Sequence, residues 1–189
     1  MTSLDELVSY YHLLRQHGLN DSHSGNASVR ATDGVWISPT GCCADTLTAA
    51  DLVYCSNSKA APANASLDYA LHQAIYDKRK DVNAVLHGHP AHAIALTLNG
   101  NDFKTDDFEG MLYFGVVPVV DIDYDHYFEL SVEKISSALA NNNIVIARGH
   151  GVYSCAPSLE LAYKWISSLE LSARISSISH TANNLKETN

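Results

Sequence analysis

Leu4, Leu7, Val8, Tyr11 and Leu14 recur at the three- and four-residue spacing of one helix face, and Gly18 ends the run. The pattern predicts an amphipathic helix over residues 3–17. Asp21 to Asn26 is polar and rich in turn formers, and Ala27-Ser28-Val29-Arg30 after it reads as a strand. Asp33-Gly34 predicts a hairpin turn into a second strand, Val35-Trp36-Ile37-Ser38. Pro39-Thr40-Gly41 is a loop of small residues, and Asp51 to Cys55 has the composition of a further strand. From Ser66 the period becomes helical: Ser66 is the expected N-cap, and Leu67, Leu71 and Ile75 with Ala70 and Ala74 form an apolar stripe ending at Lys78. Val82 to Leu86 is an apolar, β-branched run that predicts a buried strand, followed by an Ala- and Leu-rich helix over residues 91–98. Residues 101–110 carry no clear period. Val116 to Val120 predicts a strand with Pro118 favouring an edge, Ser131 to Ala140 a helix, and Asn143 to Ala147 a buried strand. A last helix is expected from Pro157-Ser158 to about Ser179, with a polar tail after it. Helices and strands alternate without a repeat, which predicts one α/β domain spanning residues 1–189.

Composition narrows the choice of function. A chain of 189 residues that is 46% hydrophobic and 17% charged is long enough for a full core. The net charge of −9 excludes a basic nucleic-acid surface, since phosphate neutralisation needs clustered Lys and Arg. It does not exclude a phosphorylated metabolite, which backbone amides and a metal can hold. No apolar run reaches membrane-spanning length, and Met1 leads directly into the amphipathic segment, so no secretory leader is expected. Cys42 and Cys43 are adjacent while Cys55 and Cys155 stand alone, which is not a disulfide framework. These features together predict a cytoplasmic protein, in which the two Asn-Ala-Ser sequons at Asn26 and Asn64 are chance matches.

The candidate chemistry lies at strand ends. His87 and His89 flank Gly88 just after the Val82–Leu86 run, and period-2 alternation sends both imidazoles to one side. A His-x-His pair in that place can equally bond only to water or backbone. His150 then sits between Gly149 and Gly151 at the end of another strand, where close backbone approach is easy. Three neutral imidazoles with an open fourth position suit a catalytic Zn²⁺. Asp68 adds a carboxylate on the helix that begins at Ser66, with the alternative that it pairs with His72 one turn along the same face.

Five motifs in order carry a resemblance. Ser24-Gly25-Asn26-Ala27-Ser28-Val29-Arg30, Ser38-Pro39-Thr40-Gly41, His72-Gln73-Ala74-Ile75-Tyr76, Val85-Leu86-His87-Gly88-His89-Pro90 and Gly149-His150-Gly151-Val152-Tyr153-Ser154 resemble the class II aldolase and adducin-head family over roughly residues 4 to 175. In size the chain is most similar to the fuculose-phosphate aldolase group. The resemblance implies a three-layer α/β/α sandwich around a central mixed or antiparallel sheet, and a four-fold homotetramer with sites at subunit contacts. It implies His87, His89 and His150 as zinc ligands, with Mn or Co as other divalent ions for the same site, and Asp68 as a further ligand when substrate is absent. It also implies Gly25, Asn26, Thr40, Gly41 and Ser66 as the holders of a substrate phosphate. Small residues that expose backbone N–H groups, with Asn and Thr side chains beside them, form an anion nest without Lys or Arg.

The chain departs from the family at three places. The catalytic glutamate falls on Asp68, a serine that binds phosphate falls on Leu67, and the family's acidic tyrosine aligns nearest Phe108. The resemblance implies a lyase acting on a small hydroxy-carbonyl compound, foremost a sugar phosphate, through a metal-stabilised enediolate with Asp68 moving the proton. Tyr113, Tyr124 and Tyr127 are the candidates for the second proton carrier. The alternatives are a decarboxylase or dehydratase of the same family and a non-catalytic adducin-like module, which would have no need of the three histidines.

Overall fold

A computed structural model describes residues 3–187, and the last two residues of the expected polar tail fall outside them. The chain runs α1 (Leu4–Gln16), β1 (Asn26–Ala31), β2 (Gly34–Ile37), β3 (Val53–Ser56), α2 (Tyr69–Lys78), β4 (Ala84–Gly88), α3 (Ala91–Leu96), β5 (Phe103–Lys104), α4 (Phe108–Tyr113), β6 (Val116–Val117), β7 (Val119–Val120), α5 (Tyr127–Leu139), β8 (Ile144–Ala147), β9 (Gly151–Ala156) and α6 (Leu159–Glu187). Seven strands form one sheet in the order β3-β2-β1-β4-β9-β8-β7, antiparallel throughout except where β7 meets β8. The strand alternation sorts the core into two layers. Leu86, Ile146 and Val152 face Leu7, Leu14, Ile166 and Leu169 of α1 and α6, while Val85, Val145 and Cys155 face Leu71, Ile75, Ile135 and Leu139 of α2 and α5. This is the three-layer α/β/α sandwich with a mixed, mainly antiparallel sheet.

Several boundaries differ from the pattern. The Val116–Val120 strand is two: Pro118 has no N–H to continue a ladder, so β6 turns to β5 and β7 runs beside β8. The histidine strand starts at Ala84 and includes His87, and β3 starts at Val53. Residues 101–110 hold β5 and the start of α4, whose N-cap Asp107 accepts from Gly110 N–H. Helix α5 begins four residues earlier than expected, at Tyr127, and α3 stops at Leu96. Helix α6 continues to Glu187, because nothing after Pro157 is a glycine or proline that would stop it. Strand β9 has no counterpart in the periodicity reading. It is buried on both faces and so shows no alternation.

Helix α2 carries Asp68 at its head and is fixed at its tail by arginines. Arg30 from β1 donates Nη2 hydrogen bonds to the Tyr76 and Arg79 carbonyls, both at 2.8 Å, and Nε to the Val82 carbonyl at 2.9 Å. A planar fork meeting the last carbonyls of a helix satisfies groups that have no intrahelical partner. Arg79 in turn reaches the Leu139 and Asn142 carbonyls, tying the ends of α2 and α5 together. Arg30→Ala is expected to lower unfolding free energy by about 3 kcal/mol, the upper range for hydrogen bonds to a charged group. Urea denaturation measures this, and a midpoint equal to the parent's would contradict the anchoring role.

Candidate active site

The site is assembled in the middle of the sheet, where β1, β4 and β9 run side by side. Pairing puts Asn26 opposite His87 and His87 opposite Tyr153, so the three side chains form one row across the sheet. The His87 ring stacks on Tyr153 at 3.9 Å between centroids, nearly parallel. His89 lies one residue past the end of β4, where its N–H donates to the Leu19 carbonyl at 2.7 Å. His150 lies in the turn just before β9. A ligand-capable atom from each of His87, His89 and His150 falls within 4.8 Å of the others. Gly151 makes that convergence possible: a Cβ there would stand 2.5 Å from the His89 ring and 2.7 Å from the His87 ring.

Hydrogen bonding identifies the nitrogens that are free to bind. His87 Nδ1 faces the Val152 carbonyl at 3.0 Å, and a carbonyl only accepts, so Nδ1 carries the proton and Nε2 keeps its lone pair. His89 Nδ1 meets Asn20 Oδ1 at 3.0 Å, and Asn20 Nδ2 donates to the Ser24 carbonyl, which fixes the amide orientation. His89 is again the Nδ1–H tautomer, and its Nε2 is buried without a protein partner. Burial holds all three imidazoles below the usual histidine pKa, His87 well below it and His89 at about 4. Three neutral rings converging on one point, one with an orphaned buried lone pair, fit a divalent metal with nitrogen preference.

Asp68 stands over the same row. It occupies the N-cap position of α2 yet makes no capping bond; Ser66 Oγ accepts the Asp68 N–H instead. Its Oδ2 accepts from Asn26 Nδ2 at 2.8 Å and from Tyr153 OH at 2.9 Å, the two residues on either side of His87. The helix dipole favours a carboxylate at that end. Asp68 lies outside the histidine cluster as a ligand. The alternative pairing with His72 is not formed: His72 is fully buried, and its Nδ1 meets Ser28 Oγ at 2.7 Å. Helix α2 therefore begins at Tyr69, with residues 66–68 in a turn, and Ser66 is not its N-cap.

One cleft of about 840 Å³ brings together the histidines, Asp68, and Gly25, Asn26, Thr40, Gly41 and Ser66. Within it the Asn26 amide is already committed to Asp68, and the Thr40 N–H donates to the Asn64 carbonyl at 3.0 Å. Thr40 and Gly41 line the cleft side by side. Gly25 has a positive φ of 74°, and a Cβ there would collide with the Asn20 amide and stand 2.5 Å from the His87 carbonyl. Leu67, 74% exposed, also lines the cleft, as do His23 and Arg148.

The tyrosine candidates separate. Tyr113 packs on Trp165 beneath Lys164, away from the cleft, and Phe108 is exposed on α4, also away from it. Tyr124 lines the cleft mouth, and Tyr127 OH lies 2.6 Å from His150 Nδ1. His92 is held by Glu170 of α6 at 2.7 Å, and His12 and His17 bond to Leu47 and Tyr163. Sequence reasoning missed Asn20 and Tyr153. The signal for Tyr153 was available: it follows Gly151-Val152 in an aromatic and β-branched run directly after His150. Asn20 gave none, being one polar residue in a polar loop.

Residues 5–177 match the family described as Class II Aldolase and Adducin N-terminal domain. L-fuculose phosphate aldolase of Escherichia coli (strain K12) is 30% identical over 161 residues, which is 84% of this chain and 74% of that protein. A 3-oxo-tetronate 4-phosphate decarboxylase of Cupriavidus necator is 37% identical over 89 residues, 46% of this chain and 41% of that protein. The crystal structure of L-fuculose-1-phosphate aldolase from Thermus thermophilus superposes with a TM-score of 0.89 at 26% identity, over 96% of both chains. By the near-complete match, the shared sandwich and the histidine cluster in its cleft, this chain belongs to the class II aldolase and adducin N-terminal domain family.

Proposed function

We propose that the chain is a zinc-dependent aldolase that cleaves or forms a carbon–carbon bond in a small ketose phosphate of the fuculose phosphate type. The observation that carries this reading is the convergence of three neutral imidazoles on one point beside a carboxylate, inside a cleft large enough for such a substrate. His87, His89 and His150 would hold a divalent ion, which would supply Lewis acidity to the substrate. Three nitrogen donors favour zinc over the harder Mn²⁺, with Co²⁺ the natural substitute.

The chain's own groups do the rest. Thr40 Oγ1, Ser66 Oγ and the small-residue turns at Gly25 and Gly41 bind and orient the phosphate by hydrogen bonds and backbone dipoles. Breaking the carbon–carbon bond releases an aldehyde as its hydroxyl passes a proton to the Asp68 carboxylate, and leaves the electron pair on the hydroxyketone carbon. Asp68 then delivers that proton to the carbon, and the reverse direction runs the same transfer backwards. The carboxylate is one methylene shorter than a glutamate, and its two hydrogen bonds hold it directly over the His87 row, which offsets the lost reach.

A second reading, decarboxylation of a phosphorylated keto acid, is favoured by the local match to the tetronate phosphate decarboxylase and by Leu67 in the cleft. It would need the same metal and would release CO₂ in place of an aldehyde. The four cysteines are free thiols and no described helix is long and apolar enough to cross a membrane, which support placement in the cytoplasm.

We also assign a homotetramer. Leu171, Ile175 and Ile178 leave a strip of exposed apolar side chains along α6, near exposed Met111 and Leu112 of α4. Light scattering should give four times the 20.5 kDa chain mass, and a mass near one chain would contradict the assembly.

Two substitutions separate the parts of the site. Asp68→Asn is expected to keep one metal per chain and to lower turnover of fuculose 1-phosphate by at least about 10²-fold, the scale of general acid–base catalysis. His89→Ala is expected to lose both metal and turnover while retaining the fold. Metal analysis with an aldehyde-release assay reads both. Turnover of Asp68→Asn within a few-fold of the parent removes Asp68 from the mechanism, and a full metal equivalent in His89→Ala removes His89 from the ligand set.

A further inference from the structure

His150 and Asp68 are joined by two tyrosines that the reaction so far leaves unused. His150 Nδ1 lies 2.6 Å from Tyr127 OH, Tyr127 OH lies 3.1 Å from Tyr153 OH, and Tyr153 OH lies 2.9 Å from Asp68 Oδ2. The bond directions follow from proton counting. The single Tyr153 hydroxyl proton points to Asp68 Oδ2. Tyr153 oxygen then accepts from Tyr127, which uses the single Tyr127 proton. Tyr127 oxygen is left as an acceptor, and His150 Nδ1 must be the donor. Each phenol has one proton to give and lone pairs to accept with, so the three distances fix the order of donors.

We propose that Tyr127 and Tyr153 are positioning residues that form a one-directional hydrogen-bond chain from His150 to Asp68, so that the carboxylate, as the chain's terminal acceptor, sets the histidine tautomer that presents Nε2 to the metal. The other two ligands take their Nδ1 acceptors from fixed groups, the Val152 carbonyl and the Asn20 amide. His150 alone takes its acceptor from a hydroxyl, which could donate as readily as accept. Only the carboxylate at the far end removes that ambiguity. The chain also gives Asp68 its second donor and so fixes where the short carboxylate points. Tyr153 is itself fixed by pairing with His87 and by the stack on its ring.

The roles of the two tyrosines separate by distance from the metal. Tyr127 touches a ligand, so its hydroxyl bears on metal affinity. Tyr153 touches Asp68, so its hydroxyl bears on proton transfer, which rests on the function proposed above. Phenylalanine keeps both rings and removes only the hydroxyls. The first experiment measures Zn²⁺ affinity by chelator competition, without substrate, for the parent, Tyr127→Phe and Tyr153→Phe. Tyr127→Phe is expected to bind about 10-fold more weakly or worse, the usual effect of losing a partner behind a metal ligand. Tyr153→Phe is expected to weaken binding measurably but by a smaller factor, because it cuts the link between the carboxylate and the hydroxyl behind His150. The second experiment reads kcat and KM on fuculose 1-phosphate with zinc saturating. Tyr153→Phe is expected to lose about 10-fold in kcat with KM within about two-fold, since the hydroxyl orients the base and does not hold substrate.

Zinc affinity of Tyr127→Phe equal to the parent's overturns the chain. So does an unchanged kcat in Tyr153→Phe. If the parent itself does not turn over the sugar phosphate, the proposed activity falls, and the affinity measurement still decides the chain because it uses no substrate.

Discussion

The site depends on a register constraint. Antiparallel pairing fixes Asn26, His87 and Tyr153 in one row across β1, β4 and β9, at a spacing set by the ladder and not by the side chains. A carboxylate above that row can be held from both sides at once, and Asp68 is. A slip of one residue in β4 would turn His87 into the opposite core layer, beside α6, and would separate it from both neighbours. The histidine cluster, the carboxylate and the stacked tyrosine therefore stand or fall with one alignment of three strands.

The same constraint explains why so much buried polarity is tolerated. Each histidine that converges on the cleft passes one N–H to an acceptor that belongs to a neighbouring segment: a β9 carbonyl, the Asn20 amide in the loop before β1, and the Tyr127 hydroxyl at the start of α5. Burial keeps the rings neutral, and neutrality is what a metal ligand needs. Helix α2 enters the arrangement as a rigid arm, clamped by Arg30 and Arg79 at its tail, so that its head can carry an uncapped Asp68 without drifting.

Much of this was legible in the sequence, for definable reasons. The two histidines beside Gly88 and the third between glycines pointed to the histidine cluster, because strand period and glycine steric freedom are local properties. The α/β class followed from alternating elements, and the sandwich from the resemblance that the ordered motifs carry. The hydrogen-bond partners were not legible. Tyr153 meets Asp68 across 85 positions of chain and Asn20 meets His89 across 69, and no local pattern reports such pairings. Asp68 lines the same cleft as the histidines, but its partners are Asn26 and Tyr153, and the helical neighbour His72 is instead buried against Ser28. Strand β9 and the split at Pro118 escaped for a different reason: a strand buried on both faces shows no alternation, and one proline decides which of two sheets its neighbours join.

The central claim is that the protein fold alone, before any metal, presents three Nε2 lone pairs to one point by engaging all three Nδ1–H groups. Long-range ¹H–¹⁵N correlation spectra of the metal-free protein test it most directly, since the two neutral tautomers of an imidazole have distinct nitrogen shifts. The account predicts the Nδ1–H tautomer for His87, His89 and His150 alike. An Nε2–H tautomer at any of the three would contradict it.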